Sequence, residues 1–142
     1  MKIHLITVGT PKLHYAKLGW EEYYKRLQRQ HTVRVTHLAD KSNTAEHLLA
    51  AAAGTSLVVM EIEGAQLSSR QLADFLRKKE LDAREVSFMI GGPEGLPAEV
   101  IAQANHQLSL SKLTFPHDLA MVVLLEALYR ASSINAGMPY HK

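Results

Sequence analysis

Cysteine is absent from the chain. Its absence excludes disulfides, thiolate-bound metals and a cysteine nucleophile, and it fits a reducing compartment, so the expected location is cytoplasmic. Long apolar runs are absent as well. The richest, residues 119–125 (LAMVVLL), falls far below the roughly 18–20 residues of a membrane helix, and no membrane partner is expected. Residues 1–9 are apolar but carry His4 and lack a small-residue cleavage site, which argues against a secretory signal. The eight histidines include no H-x-x-x-H pair and no cluster with carboxylates, so no metal is expected. A G-x-S-x-G elbow and a G-x-x-x-x-G-K-[ST] loop are both missing, which leaves serine-hydrolase and nucleotide-hydrolase or kinase chemistry without its parts. Charge of one sign is scarce too. The formal net charge is +2, which by itself asks for no polyanion. Its distribution is uneven: residues 1–34 hold seven Lys/Arg against Glu21 and Glu22, whereas residues 61–99 hold five bases against eight acids. A polyanion would lie at the basic end, although a solvated helix face gives the same pattern.

What is present is regular in order. The chain has 142 residues, 46% apolar and 21% charged. That suits one domain, residues 1–142, with its own core. Residues 2–9 (KIHLITVG) read as a strand ended by Gly9-Thr10-Pro11. Residues 13–30 read as a helix with Tyr15, Leu18, Tyr23 or Tyr24, and Leu27 on its apolar stripe. Residues 33–39 alternate as a strand, and residues 40–43 turn. Asn43 or Thr44 then caps an alanine-rich helix that Gly54 stops. Residues 57–62 (LVVMEI) are continuously apolar, as a strand covered on both faces would be, and Gly64 is expected to end it. Ser68 or Ser69 caps the next helix, to about Glu80. Residues 86–90 (VSFMI) form another buried strand. Pro97 opens a helix to Asn105, residues 107–111 form a last strand, and residues 117 to about 133 the last helix. Regular alternation implies an α/β fold, a mainly parallel sheet with helices on both faces. Ligands of such sheets lie beyond the strands' carboxyl ends, here 60–63, 91–95 and 109–115.

Three stretches carry chemistry. Gly91-Gly92-Pro93-Glu94-Gly95 joins a buried strand to a helix, where glycine lets backbone approach a ligand; a tight turn alone explains it equally well. Ser109 to Phe115 mixes hydroxyls with Leu110, Leu113 and Phe115 and could wrap an amphiphilic ligand, though judged alone it is an ordinary loop. The last helix is apolar nearly all round from Leu119 to Leu125, where a surface helix would show one stripe. Either it is central in the core or a second subunit covers its outer face, and in a chain this small the second is expected. Glu126 and Arg130 stand four apart and can pair. Tyr140 and His141 are the polar groups of the tail. A histidine near its ordinary pKa serves as a general base, whereas most terminal histidines are simply exposed.

These stretches together are familiar. Ile90-Gly91-Gly92-Pro93-Glu94-Gly95-Leu96, residues 108–117 (LSLSKLTFPH), Leu124-x-Glu126-x-x-Tyr129-Arg130-Ala131 and Pro139-Tyr140-His141-Lys142 closely resemble the RlmH family. These are SPOUT-class enzymes that methylate N3 of a pseudouridine in 23S ribosomal RNA. The resemblance spans the chain and is weaker before residue 57. It implies a C-terminal trefoil knot, which ordinary topology rules would reject. It implies a homodimer acting on the large subunit or whole ribosome. It also implies S-adenosylmethionine held by Met60, Gly91, Gly92, Leu110, Ser111, Lys112, Leu113, Thr114 and Phe115. The catalytic residues would be His141 as base, Tyr140 to position it, Arg130 and Glu126, with one subunit's tail completing the other's site. Lys17, Lys25, Arg26, Arg29 and Lys142 would add phosphate contacts. The family usually carries Arg where this chain has Met121, and often a basic residue where it has Ala136, so RNA would be held differently here. A non-catalytic, ribosome-associated RNA-binding module on the same scaffold is the alternative.

Overall fold

The computed structural model describes residues 1–141. Lys142 lies outside the described residues. Five strands, β1 (Lys2–Val8), β2 (Thr32–Leu38), β3 (Ser56–Gln66), β4 (Val86–Ile90) and β5 (His106–Ser109), alternate with α1 (His14–Gln28), α2 (Ala45–Ala51), α3 (Ser69–Leu81), α4 (Ala98–Gln103) and α5 (His117–Asn135). The sheet order is β2-β1-β4-β3-β5 and every pairing is parallel, as the alternation implied.

Side-chain alternation explains the two layers. Ile3, Leu5, Val58, Val86, Phe88 and Ile90 meet α1, α3 and α5 on one face, while Ile6, Val8, Leu57, Val59 and Met89 meet α2 and α4 on the other. Strands buried on both faces read as nearly continuous apolar runs, as residues 57–60 of β3 and, Ser87 apart, β4 do. Thr44 caps α2, accepting from the His47 backbone N–H. Ser68 caps α3 in a full capping box with Gln71. Neither Asn43 nor Ser69 takes that position.

Four expectations need correction. The stripe of α1 is Ala16, Trp20 and Leu27, with Tyr15 and Leu18 half exposed at 50% and 55%. Gly19 explains the rotation. A Cβ there would stand 2.9 Å from Val122 Cγ1, so α1 turns its glycine toward α5 to let the helices cross closely. Pro97 is the N-cap of α4 rather than its first turn, and Asn105 lies beyond that helix. The last strand ends at Ser109, leaving Leu110 and Ser111 in the loop. Finally, β3 does not stop at Gly64. Met60 and Ala65 both pair with Leu108, so residues 61–64 bulge out between two paired segments. Gly64 makes the return possible: a Cβ on it would fall 2.7–2.8 Å from the backbone of Gln107 and Leu108.

Candidate active site

A cleft of about 240 Å³ opens at the carboxyl ends of β3, β4 and β5. Parallel α/β sheets bind ligands at this edge, where loops leave strand ends without backbone partners. Met60, Glu61 and Ile62 form one wall, Gly91, Gly92, Pro93, Gly95 and Leu96 the second, and the loop from Ser109 to Phe115, Lys112 apart, the third; His117 and Ala120 of α5 close the base. Of the nine residues expected to hold a cofactor, the cleft is lined by Met60, Gly91, Gly92, Leu110, Ser111, Leu113, Thr114 and Phe115, and not by Lys112. The Lys112 side chain is exposed, as its stem and charge favour.

Local structure holds each wall. A Cβ on Gly91 would stand 2.8 Å from the Gly95 carbonyl carbon and 2.9 Å from Leu96 N, so glycine is required for the turn to fold back on itself. Gly95 takes φ +80°, a conformation natural to glycine. Asn43 fastens the same turn from across the sheet, its Nδ2 donating to the Gly95 carbonyl at 3.2 Å. In the third wall Ser109 Oγ donates to the Ser111 carbonyl at 2.9 Å, and Ser111 Oγ accepts from Leu113 N at 3.0 Å. These hydroxyls satisfy the loop itself and pre-shape it. The cleft is lined by apolar side chains, glycines, hydroxyls and one carboxylate, a lining suited to a ligand with both apolar and polar parts.

The tail forms a second cluster. Arg130 Nε donates to Glu126 Oε1 at 2.7 Å, and Arg130 Nη1 lies 3.2 Å from His141 Nδ1. A guanidinium only donates, so His141 Nδ1 accepts and the proton of its neutral ring sits on Nε2. The Arg130 guanidinium also lies 4.8 Å from the Tyr140 ring centroid. Tyr140 packs edge-on against Tyr129, and its hydroxyl is 3.0 Å from that of Tyr23. Arg26, paired with Glu22 at 2.9 Å, faces the rings of Tyr23, Tyr129 and Tyr140 at 5.3–5.8 Å. Burial first, and then the bond to Tyr23, push the Tyr140 phenol up to about 12, so it stays protonated at neutral pH. The four expected catalytic residues therefore stand together. Tyr23 and Arg26, which fasten them, were not singled out for that role; alternating aromatic and basic residues in α1 was the available signal.

Cleft and tail are separate within one chain. Ala120 lies at the base of the cleft and Arg130 sits about ten residues along α5, which is about 15 Å at the rise of an α-helix. Between them α5 shows Leu119, Val122 and Val123 only partly covered, and on α1, which meets Val122 at Gly19, Tyr15 and Leu18 are exposed. Met121 is fully buried in the core and Ala136 is the exposed C-cap of α5. Position 121 thus serves packing in this chain.

The sheet order, the five-strand parallel layer and the cleft at its carboxyl edge define an α/β fold with its candidate ligand site at the strand ends. Solved structures bear out the architecture. A probable methylase family protein from Haemophilus influenzae superposes with a TM-score of 0.58 at 14% identity, over 99% of this chain and 70% of that one. A tRNA (m1G37) methyltransferase from Aquifex aeolicus gives 0.57 at 13% identity, over 92% and 69%. A family model described as "Predicted SPOUT methyltransferase" matches residues 1–141. Ribosomal RNA large subunit methyltransferase H of Deinococcus radiodurans is 48% identical, covering 100% of this chain and 99% of its own, and that of Pseudomonas aeruginosa is 38% identical over the full length of both. The chain is an enzyme of the SPOUT methyltransferase family and belongs, within it, with the large subunit methyltransferases H.

Proposed function

We propose that this protein, as a homodimer, transfers a methyl group from S-adenosylmethionine to N3 of a pseudouridine in 23S ribosomal RNA of the large subunit or whole ribosome. The observation that carries the reading is the cleft. It gathers eight of the nine residues expected for the donor at one sheet edge, in a chain whose full-length relatives are named for large-subunit RNA methylation. The reading includes the C-terminal trefoil knot and places the work in the cytoplasm, where ribosomes are found.

S-adenosylmethionine supplies an electrophilic methyl group when bound. Met60, Gly91, Gly92 and the loop from Leu110 to Phe115 would hold it and exclude water, with Lys112 over the rim. The chain's own task is the imide. An N3–H nitrogen is a poor nucleophile until its proton leaves. His141 takes that proton at Nδ1, the nitrogen now facing Arg130. Arg130 turns from Nδ1 to the carbonyl oxygens beside N3, where the charge of the deprotonated imide spreads. Glu126 orients the guanidinium, and Tyr140, protonated and stacked on it, fixes the tail. Proton removal of this kind contributes about 10²–10⁴-fold. Because cleft and tail stand apart along α5, the tail that serves a cleft belongs to the partner subunit, brought there across the half-covered apolar face of α1 and α5. Lys17, Lys25 and Arg29 of α1 contact phosphates.

The test uses ribosomes from a strain lacking this gene, incubated with the protein and methyl-labelled S-adenosylmethionine. Label appearing on N3 of one pseudouridine of the large-subunit RNA is the expected result, and His141→Ala lowers its rate while retaining the donor. Binding of ribosomes with no methyl transfer would instead establish the RNA-binding module.

A further inference from the structure

We infer that Glu61 is the residue that recognises positive charge on the ligand of the cleft, and so distinguishes a cationic adenosyl donor from an uncharged adenosine derivative. The inference rests on the methyl-donor reading of the cleft and adds to it a specificity residue. Glu61 follows Met60 at the point where β3 leaves its pairing with β5. A bulge re-aims the side chains it carries, and bulges gather beside active sites. Here the bulge of residues 61–64 places Glu61 and Ile62 on the wall of the cleft, and the backbone room at Gly64 returns the strand to register at Ala65.

Glu61 is the one side chain among the cleft-lining residues that is negative at neutral pH, and no lysine or arginine lines the cleft beside it. Among the described residues no cation pairs with it, and the ion pairs they make all form elsewhere. The side chain is half buried. Burial first, and the neighbouring Glu63 second, raise its pKa, so the protein holds the ionised carboxylate at a cost. A ligand bearing a cation removes that cost, and an uncharged ligand does not. S-adenosylmethionine carries two cations, a sulfonium and an α-ammonium. After methyl transfer the sulfur is neutral and the ammonium remains.

The experiment is calorimetric titration of the wild-type protein, Glu61→Gln and Glu61→Asp with S-adenosylmethionine, S-adenosylhomocysteine and 5′-methylthioadenosine, which keeps the adenosine and thioether but has no charge. Glu61→Gln is expected to weaken S-adenosylmethionine about tenfold or more and to leave 5′-methylthioadenosine unchanged, with Glu61→Asp recovering part of the loss. A loss shared by S-adenosylhomocysteine assigns the contact to the ammonium, and a loss confined to S-adenosylmethionine assigns it to the sulfonium. The unliganded Glu61→Gln protein melts within about 2 °C of wild type, because no internal partner is lost. Unchanged S-adenosylmethionine affinity in Glu61→Gln overturns the inference. So does an equal loss for 5′-methylthioadenosine, which would put the carboxylate on the ribose hydroxyls or give it a structural role. Failure of the wild-type protein to bind S-adenosylmethionine overturns the donor reading itself, and this inference with it.

Discussion

Arg130→Ala lowers methyl transfer about 10²–10⁴-fold, the range for losing a positioned proton-transfer system or an electrostatic stabiliser. The residue stands at the centre of the tail. It bonds Glu126 at 2.7 Å, lies 3.2 Å from His141 Nδ1 and stacks on Tyr140. Its removal leaves His141 without the donor that sets its tautomer, and on the proposed mechanism leaves the imide anion without its cation. The fold survives. The Glu126–Arg130 pair is an i,i+4 contact with side chains 25–30% exposed, worth about 0.3–0.5 kcal/mol. Single-turnover rates fall while the melting temperature and the affinity for S-adenosylmethionine stay near wild type. Arg130→Lys does not restore the rate, because one ammonium cannot replace a planar fork that contacts a carboxylate and an imidazole at once.

Gly91→Val is expected to weaken S-adenosylmethionine binding by roughly tenfold to a hundredfold. Even a methyl group on this residue meets the Gly95 carbonyl carbon at 2.8 Å and Leu96 N at 2.9 Å. Both contacts are backbone, so the turn itself must move. Overpacking of this kind costs on the order of 1–3 kcal/mol, and about 1.4 kcal/mol is a factor of ten in affinity. The displaced turn forms a wall of the cleft, so the cost falls on the ligand. Calorimetric titration measures it directly, and the tail is untouched.

The architecture was legible because the strands are buried on both faces. A run such as LVVM, or VSFMI with its single small serine, admits few other readings once turn residues bound it. The cleft was legible because the glycine turn and the 109–115 loop lie at the ends of such strands. What stayed hidden depends on contacts between distant residues. Trp20 displaced Tyr15 and Leu18 from the core because Gly19 sets how closely α1 crosses α5, a property of the pair of helices. Asp118 gave no sign in sequence of its role. From the first turn of α5 its Oδ2 accepts from Lys12 N at 2.8 Å and Leu13 N at 2.6 Å, serving the start of α1, which has no side-chain cap of its own. The bulge after Met60 was hidden for a related reason. Gly64 resembles a strand terminator, and only the backbone of β5 packed beneath it shows that the strand continues. That same bulge carries Glu61 to the cleft.

The claim on which the mechanism turns is that one protomer's cleft works with its partner's tail. The decisive measurement mixes purified Arg130→Ala and Gly91→Val proteins under conditions that let subunits exchange, then assays methyl transfer to ribosomes. With S-adenosylmethionine held at or below the wild-type Kd, so that the weakened Gly91→Val cleft stays mostly unfilled, each homodimer alone is expected to keep about a tenth of the wild-type rate or less. If the site spans two chains, half of the exchanged dimers are mixed and each holds one intact cleft facing one intact tail, so activity returns to about a quarter of the wild-type rate. If cleft and tail of the same chain work together, every site in the mixture carries a defect, and activity stays at the level of the separate variants.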